Sequence, residues 1–315
     1  MALHQSSGRS GRGFALALTT MLLWGMLPVA LKGLLPAMDA ATITFYRFLV
    51  SAPVLFGILA VRRGLPRPGS LHAGGWLLLG VATLFLAVNY QGYLVALDWT
   101  TPADAQVVIQ LAPLLLAVGG LAIFRERFTR AQWLGVAVLV SGLVIFWSGQ
   151  LGAQAGRGAD GGRYIRGNLM MVGAAICWSV YGLAQKQLLR TLGSQQIMVC
   201  VYAGCALLFL PLADLAAVGR LDLPGLGLLA FCALNTLLGY GAFSESLAHW
   251  EASRVSAVLA MTPLATLGFA HAAALLWPRL DSQPALPTLS LVGAGLVVAG
   301  SVATSLGERW RARRE

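Results

Sequence analysis

Apolar residues along this chain come in long runs, each near the roughly 20 residues that a helix needs to cross the hydrocarbon core of a bilayer. Bounded by charges, Gly or Pro, the runs fall at 14–35, 42–60, 74–95, 103–124 and 131–148, then at 167–187, 194–213, 226–247, 252–276 and 287–305. The pattern predicts an all-α membrane protein with ten transmembrane helices. The stretch from Gly149 to Arg166 is the only long interruption; it is rich in Gly and Ala and carries Asp160 and three arginines, the composition of a flexible linker. The expected organisation is a cytoplasmic N-terminal tail (1–13), a five-helix unit (14–148), a linker (149–166), a second five-helix unit (167–305) and a basic cytoplasmic C-terminal tail (306–315). The first run is too long for a signal-peptide core and ends without a small-residue cleavage site, so it is expected to remain as a span.

The two units look like copies. A shift of 154 lays Trp24, Lys32, Leu34 and Leu35 on Trp178, Lys186, Leu188 and Leu189; a shift of 150 lays Tyr90, Leu97 and Pro113 on Tyr240, Leu247 and Pro263. Gly135 and Gly142 keep the seven-residue spacing of Gly293 and Gly300, which puts each pair on one helix face where neighbouring backbones approach. Five spans is an odd number, so the copies are expected to cross in opposite directions as two inverted five-helix repeats, an arrangement common among secondary transporters.

Composition supports a lipid environment: 57% of residues are hydrophobic, 11% are charged, and the mean hydropathy is +0.74. The formal charge of +10 is scattered in short clusters between apolar runs, which argues against a nucleic-acid partner and makes it a topology signal. With an N-terminus in the cytoplasm, fifteen Lys and Arg fall on inner segments and six on outer ones, with Arg47 alone inside a span; both termini are therefore expected in the cytoplasm. Cys177, Cys200, Cys205 and Cys232 all lie in apolar runs without metal-ligand spacing and imply neither a disulfide nor a metal site.

The segment Leu22-Leu23-Trp24-Gly25 with Arg47 in the next run, Ala96-Leu97 leading into Ala112-Pro113, Arg125-Glu126-Arg127, and Gly135 to Gly142 resembles the EamA-type members of the drug/metabolite transporter superfamily. The resemblance covers nearly all of 14–305 and is stronger in the first half. It implies a two-repeat, ten-helix transporter with a central cavity, handling amino acids and related metabolites, often outward. The counterpart of Glu126 in the second half is Leu276, so a family role for that glutamate has no support there.

Polar side chains deep in apolar runs are the site candidates, because lipid offers them no partner. Gln106 and Gln110 share a helix face, with Pro113 just beyond, and Trp24, Trp178, Tyr90 and Tyr240 are placed to complete an aromatic and hydrogen-bonding lining suited to a zwitterion. Pro28, Pro113 and Pro263 each remove a backbone hydrogen bond and are expected to interrupt their helices, or else simply shape packing. Arg47 serves either to bind a substrate carboxylate or, as a structural group, to snorkel or to pair with a carbonyl. Glu245 is a candidate for proton coupling or for a salt bridge to Arg254, and His271 for a proton relay or a structural hydrogen bond. Asp104 reads as a helix cap within Thr101-Pro102-Ala103-Asp104. Walker, HExxH and GxSxG motifs are absent, so the expectation is a secondary transporter without cofactors, not an enzyme. Its expected partners are the lipid bilayer, a small-molecule substrate and a coupling ion. The alternatives are a drug or cationic-compound efflux carrier and, from another class, a non-transporting membrane scaffold or sensor.

Overall fold

In lipid every backbone polar group must find its partner within the protein, and a helix meets that demand inside a single segment. The computed structural model describes residues 10–66, 69, 71–124, 129–154, 159–249, 255, 258–276 and 286–306, and its regular elements are all helical. They are α1 (Ser10–Leu34), α2 (Ala40–Val61), α3 (Ala73–Trp99), α4 (Pro102–Val108), α5 (Leu111–Phe124), α6 (Arg130–Gln154), α7 (Ala159–Leu188), α8 (Ser194–Phe209), α9 (Leu223–His249), α10 (Thr262–Leu276) and α11 (Thr288–Leu306), with two short 3₁₀ turns between α8 and α9. Most of the expected terminal tails, the Arg125–Glu126–Arg127 motif and Arg254 lie outside the described residues. Where a linker over 149–166 was expected, α6 runs on to Gln154 and α7 starts at Ala159.

The expectation of ten transmembrane helices, as two inverted five-helix repeats, is corrected. Among the described residues seven helices are long and apolar enough to cross a membrane, and three apolar helices are shorter: Pro102–Leu116, Thr262–Leu276 and Thr288–Thr304. The physical reason is interruption. A hydropathy run does not register a break in its helix, and the run expected at 103–124 is divided into α4 and α5 by a turn at Ile109–Gln110. The run at 252–276 is likewise divided: Val258 and Leu259 are helical, a turn follows at Ala260–Met261, and α10 begins at Thr262.

Helix packing follows a pattern that survives exchange of the two halves. α1 lies on α9 as α7 lies on α3; α1 also meets α10 as α7 meets α5; α2 packs on α8 and α6 on α11. α2 and α8 run antiparallel. Gln196 at the start of α8 donates to the Gly64 carbonyl beyond the end of α2, while the Asp214 N–H beyond α8 donates to Thr42 at the start of α2. Outward-facing Val61, Leu77, Leu134, Leu207 and Leu276 present apolar surface to lipid.

Polar groups gather at the two ends of the bundle. At one end Arg12 pairs with Glu245 across α1 and α9. At the other, the Lys32 ammonium donates to the Leu97, Asp98 and Thr100 carbonyls, filling the acceptors left open where α3 stops, and Arg163 pairs with Asp98. At this end, too, Asp214 accepts from Arg220, and that hydrogen bond holds its carboxyl below the usual carboxylate range.

The backbones of α6 and α11 approach each other closely at glycines. A Cβ on Gly142 would lie 2.6 Å from the Val297 nitrogen, and one on Gly293 would lie 2.4 Å from the Phe146 nitrogen. Gly135 and Gly300 meet in the same way one heptad along. Small residues here let main chains touch, which is how helices associate strongly where lipid supplies no hydrophobic drive. We expect Gly142→Ala to lower the thermal unfolding midpoint in detergent by an amount equivalent to about 1–3 kcal/mol of overpacking. Gly57→Ala, where nothing lies within 4 Å, should leave it unchanged. Equal midpoints for the two variants would contradict this packing account.

Candidate functional site

A proline inside a helix deprives the carbonyl four residues earlier of its donor. In α1 that proline is Pro28 and the carbonyl is that of Trp24, which instead accepts from the Gln106 side-chain amide at 3.0 Å. The expected interruption at Pro28 is therefore corrected: α1 continues through it without a break, and α4 supplies the missing donor. The neighbouring carbonyls are bridged as well. Leu23 accepts from Asn235 at 2.6 Å and Gly25 from Thr266 at 2.8 Å, so one turn of α1 is tied to α4, α9 and α10. Pro113 is the third residue of α5 and Pro263 the second of α10, each just after a turn. The Ile109 carbonyl freed by Pro113 accepts from the Ala112 N–H, and the Leu259 carbonyl freed by Pro263 accepts from the Thr262 hydroxyl. Gln110 is buried in the first of these turns, with its N–H directed to the Val107 carbonyl.

Beside this turn lies an aromatic centre. Trp24 meets Tyr240 edge-on at 5.3 Å between ring centroids and Phe243 at 5.7 Å. Gly239 makes room for it, since a Cβ there would sit 2.5 Å from the indole nitrogen. Tyr240 packs in one cluster with Tyr90 and Trp178, which joins α9 to α3 and α7. Arg47, only 3% exposed, places its guanidinium carbon 4.6 Å from the centre of the Tyr90 ring and donates through Nε to Thr236 at 3.1 Å. Trp24, Arg47, Tyr90, Trp178 and Tyr240 are thus one connected group, and Gln106 joins it through the Trp24 main chain.

Asp104 is fully buried and closes a capping box with Thr101 at the start of α4, while its other oxygen accepts from Gln150 at 2.6 Å and Tyr164 at 3.0 Å. Glu245 and His271 lie away from the aromatic centre. Glu245 is half exposed and pairs with Arg12 and His249; His271 is exposed on α10. Glu245 also lines an open cleft of about 420 Å³, together with Arg62, Gly64, Ser194 and Gln196, at the end of the bundle where α1 begins. No His, Cys, Asp and Glu cluster among the described residues is suited to a metal ion. Asn235 and Thr236 are central residues that reading the sequence overlooked; the signal was present, two polar side chains inside the apolar run of α9.

Helices broken at matched positions around a buried polar and aromatic centre are features of membrane carriers. The EamA-like transporter family matches residues 11–148 and 165–306. YhbE of Escherichia coli K12, described as an uncharacterized inner membrane transporter, is 40% identical over 302 residues, covering 96% of this chain and 93% of that protein. An uncharacterized transporter of Haemophilus influenzae is 36% identical, covering 94% and 95%. A Salmonella typhimurium protein named "Probable amino-acid metabolite efflux pump" is 26% identical, again covering 94% and 95%. A crystal structure with 20% identity superposes with a TM-score of 0.60 over 97% of this chain and 98% of that one, a likeness of fold alone. The chain belongs to the EamA-like transporter family. It is a multi-pass protein of the bacterial inner membrane and a secondary transporter of small metabolites, not an enzyme.

The link between Pro28 and Gln106 can be tested by a double-mutant cycle. Gln106→Leu alone should cost about 1–3 kcal/mol of stability, by leaving the Trp24 carbonyl without a donor. In a Pro28→Ala background the new N–H restores the helical bond, and the same substitution should cost much less. Additive losses in detergent unfolding would refute the link.

Proposed function

We propose that this transporter moves amino acids or related zwitterionic metabolites out of the cell. The observation that carries the reading is the buried centre itself: a cation, four aromatic rings and amide side chains beside one bridged turn of α1. Such a lining offers polar contacts to a charged backbone and apolar faces to a side chain. Relatives in Salmonella typhimurium and Escherichia coli that bear the name of amino-acid metabolite efflux pumps support both the substrate class and the direction. A carrier for cations lacking a carboxylate fits less well, because Arg47 would repel them from the centre. Glu245, in the open cleft beside Arg12 and His249, is our candidate for proton coupling.

Both termini are proposed to be cytoplasmic, on the Lys and Arg bias. In support, Ser10 begins α1 at the Arg12–Glu245 end of the bundle, and the antiparallel pairing of α6 with α11 returns Thr304 beside Gly135, toward the same end. A reporter active only in the cytoplasm should work when fused after Arg314 and be silent near Ala159; the reverse pattern would overturn the orientation.

The function is tested by loading cells with dipeptides and measuring the release of each amino acid with and without overexpression. Faster release of one amino acid or a small group is expected, and unchanged release across the whole set at normal membrane abundance would reject the reading. In the same assay Gln110→Leu should retain its abundance while losing transport or changing its preference. Unaltered kinetics in a well-expressed variant would remove Gln110 from the site.

A further inference from the structure

A buried cation in a membrane protein needs an anionic partner, and Arg47 has none among the described residues. Six carboxylates whose side chains are described are engaged elsewhere. Asp39 caps α2, Asp222 caps α9, Asp98 pairs with Arg163, Asp214 with Arg220 and Glu245 with Arg12, while Asp104 is held by Thr101, Gln150 and Tyr164. Among the described residues the Arg47 guanidinium donates through Nε, to Thr236, while its two terminal amino groups carry four further N–H donors in the planar fork that matches a carboxylate. Thr236 is itself fixed, donating to the Cys232 carbonyl while it accepts from Arg47.

The next residue on the same turn of α9 shows the opposite deficit. Asn235 is 1% exposed and its amide nitrogen is spent on the Leu23 carbonyl, yet its Oδ1 is one of three buried side-chain oxygens or nitrogens without a partner among the described residues. An acceptor left open in that position costs stability until a donor arrives. It faces the Gly239 gap occupied by the Trp24 indole: both atoms fall within 4 Å of the place where a Gly239 Cβ would be. One turn of α9 thus carries an anchor for an unmatched cation and an unmatched acceptor, flanked by Trp24 and Tyr240.

Resting on the proposed function and specifying its site, we infer that Arg47 receives the α-carboxylate of the substrate and that the Asn235 Oδ1 receives its α-ammonium, with the side chain lying against the Trp24, Tyr90 and Tyr240 rings. An α-amino acid carries both charged groups on one carbon, which suits two complementary groups on adjacent positions of a helix. Recognition then requires both charges together, so the substrate class excludes amines, amides and N-acylated acids.

The test is equilibrium binding of phenylalanine, phenylalaninamide and N-acetylphenylalanine to the purified full-length protein in detergent. For the wild type, phenylalanine should bind tighter than either analogue by on the order of tenfold to a hundredfold, the range of a charge-assisted hydrogen bond. Arg47→Gln should bring phenylalanine down to the level of its amide and leave the amide unchanged; Arg47→Lys, which keeps the charge, should retain part of the preference. Asn235→Leu should remove the preference over N-acetylphenylalanine in the same selective way. Equal wild-type affinity for all three ligands overturns the inference whether or not the variants fold, as does an equal loss for acid and amide in Arg47→Gln. If amino-acid release in cells persists while these couplings are absent, only this assignment fails; if release is also absent, the proposed function fails with it.

Discussion

A peptide carbonyl inside a bilayer has no water to fall back on, and much of this structure is arranged around carbonyls that lost their helical partner. Three of them, freed by Pro28, Pro113 and Pro263, are answered differently: a glutamine from another helix for Trp24, a nearby N–H for Ile109, a hydroxyl for Leu259. The local answers accompany turns, whereas the distant answer leaves its helix whole and draws α4 against α1. Asn235 and Thr266 bind the carbonyls on either side, so the middle of α1 becomes the point from which α4, α9 and α10 are positioned. Because Trp24 belongs to that turn, the geometry of the aromatic centre follows from the same backbone constraint.

The charged groups separate into two populations with different work. At the ends of the bundle, ion pairs such as Arg12–Glu245 and Arg163–Asp98 are half exposed and contribute little to stability. Inside, Asp104 is satisfied by side chains of α6 and α7 and serves as structure. Arg47 differs from both, being deeply buried with a hydroxyl and a tyrosine face for company. That contrast sets it apart as chemistry that the fold alone does not account for.

Much of the centre was legible in the sequence. Trp24 with Trp178, and Tyr90 with Tyr240, stand out because duplication places them at matching positions, and Arg47 because a cation within an apolar run is conspicuous. The glycines of α6 and α11 are readable for the same reason: their spacing alone puts them on one face. The number of membrane-crossing helices was not legible, since a proline within an apolar run does not announce a break: α1 and α2 run on through Pro28 and Pro53, whereas turns precede Pro113 and Pro263. Gln106 lies far from Pro28 along the chain, and no local pattern announces that they cooperate. Asn235 and Thr236 escaped because an apolar run was read as a unit, although two adjacent polar residues within it carried the information.

The glycine contact between α6 and α11 has a mechanical meaning. Where main chains touch at several points a heptad apart, neither helix can slide or rotate without driving backbone into backbone, so the pair behaves as a stiff strut. Rearrangement during a transport cycle has to be taken up elsewhere, and the turns at Ile109–Gln110 and Ala260–Met261 are where the helical ladder is already open. A carrier built this way concentrates its compliance at two joints beside the aromatic centre and keeps its far side rigid.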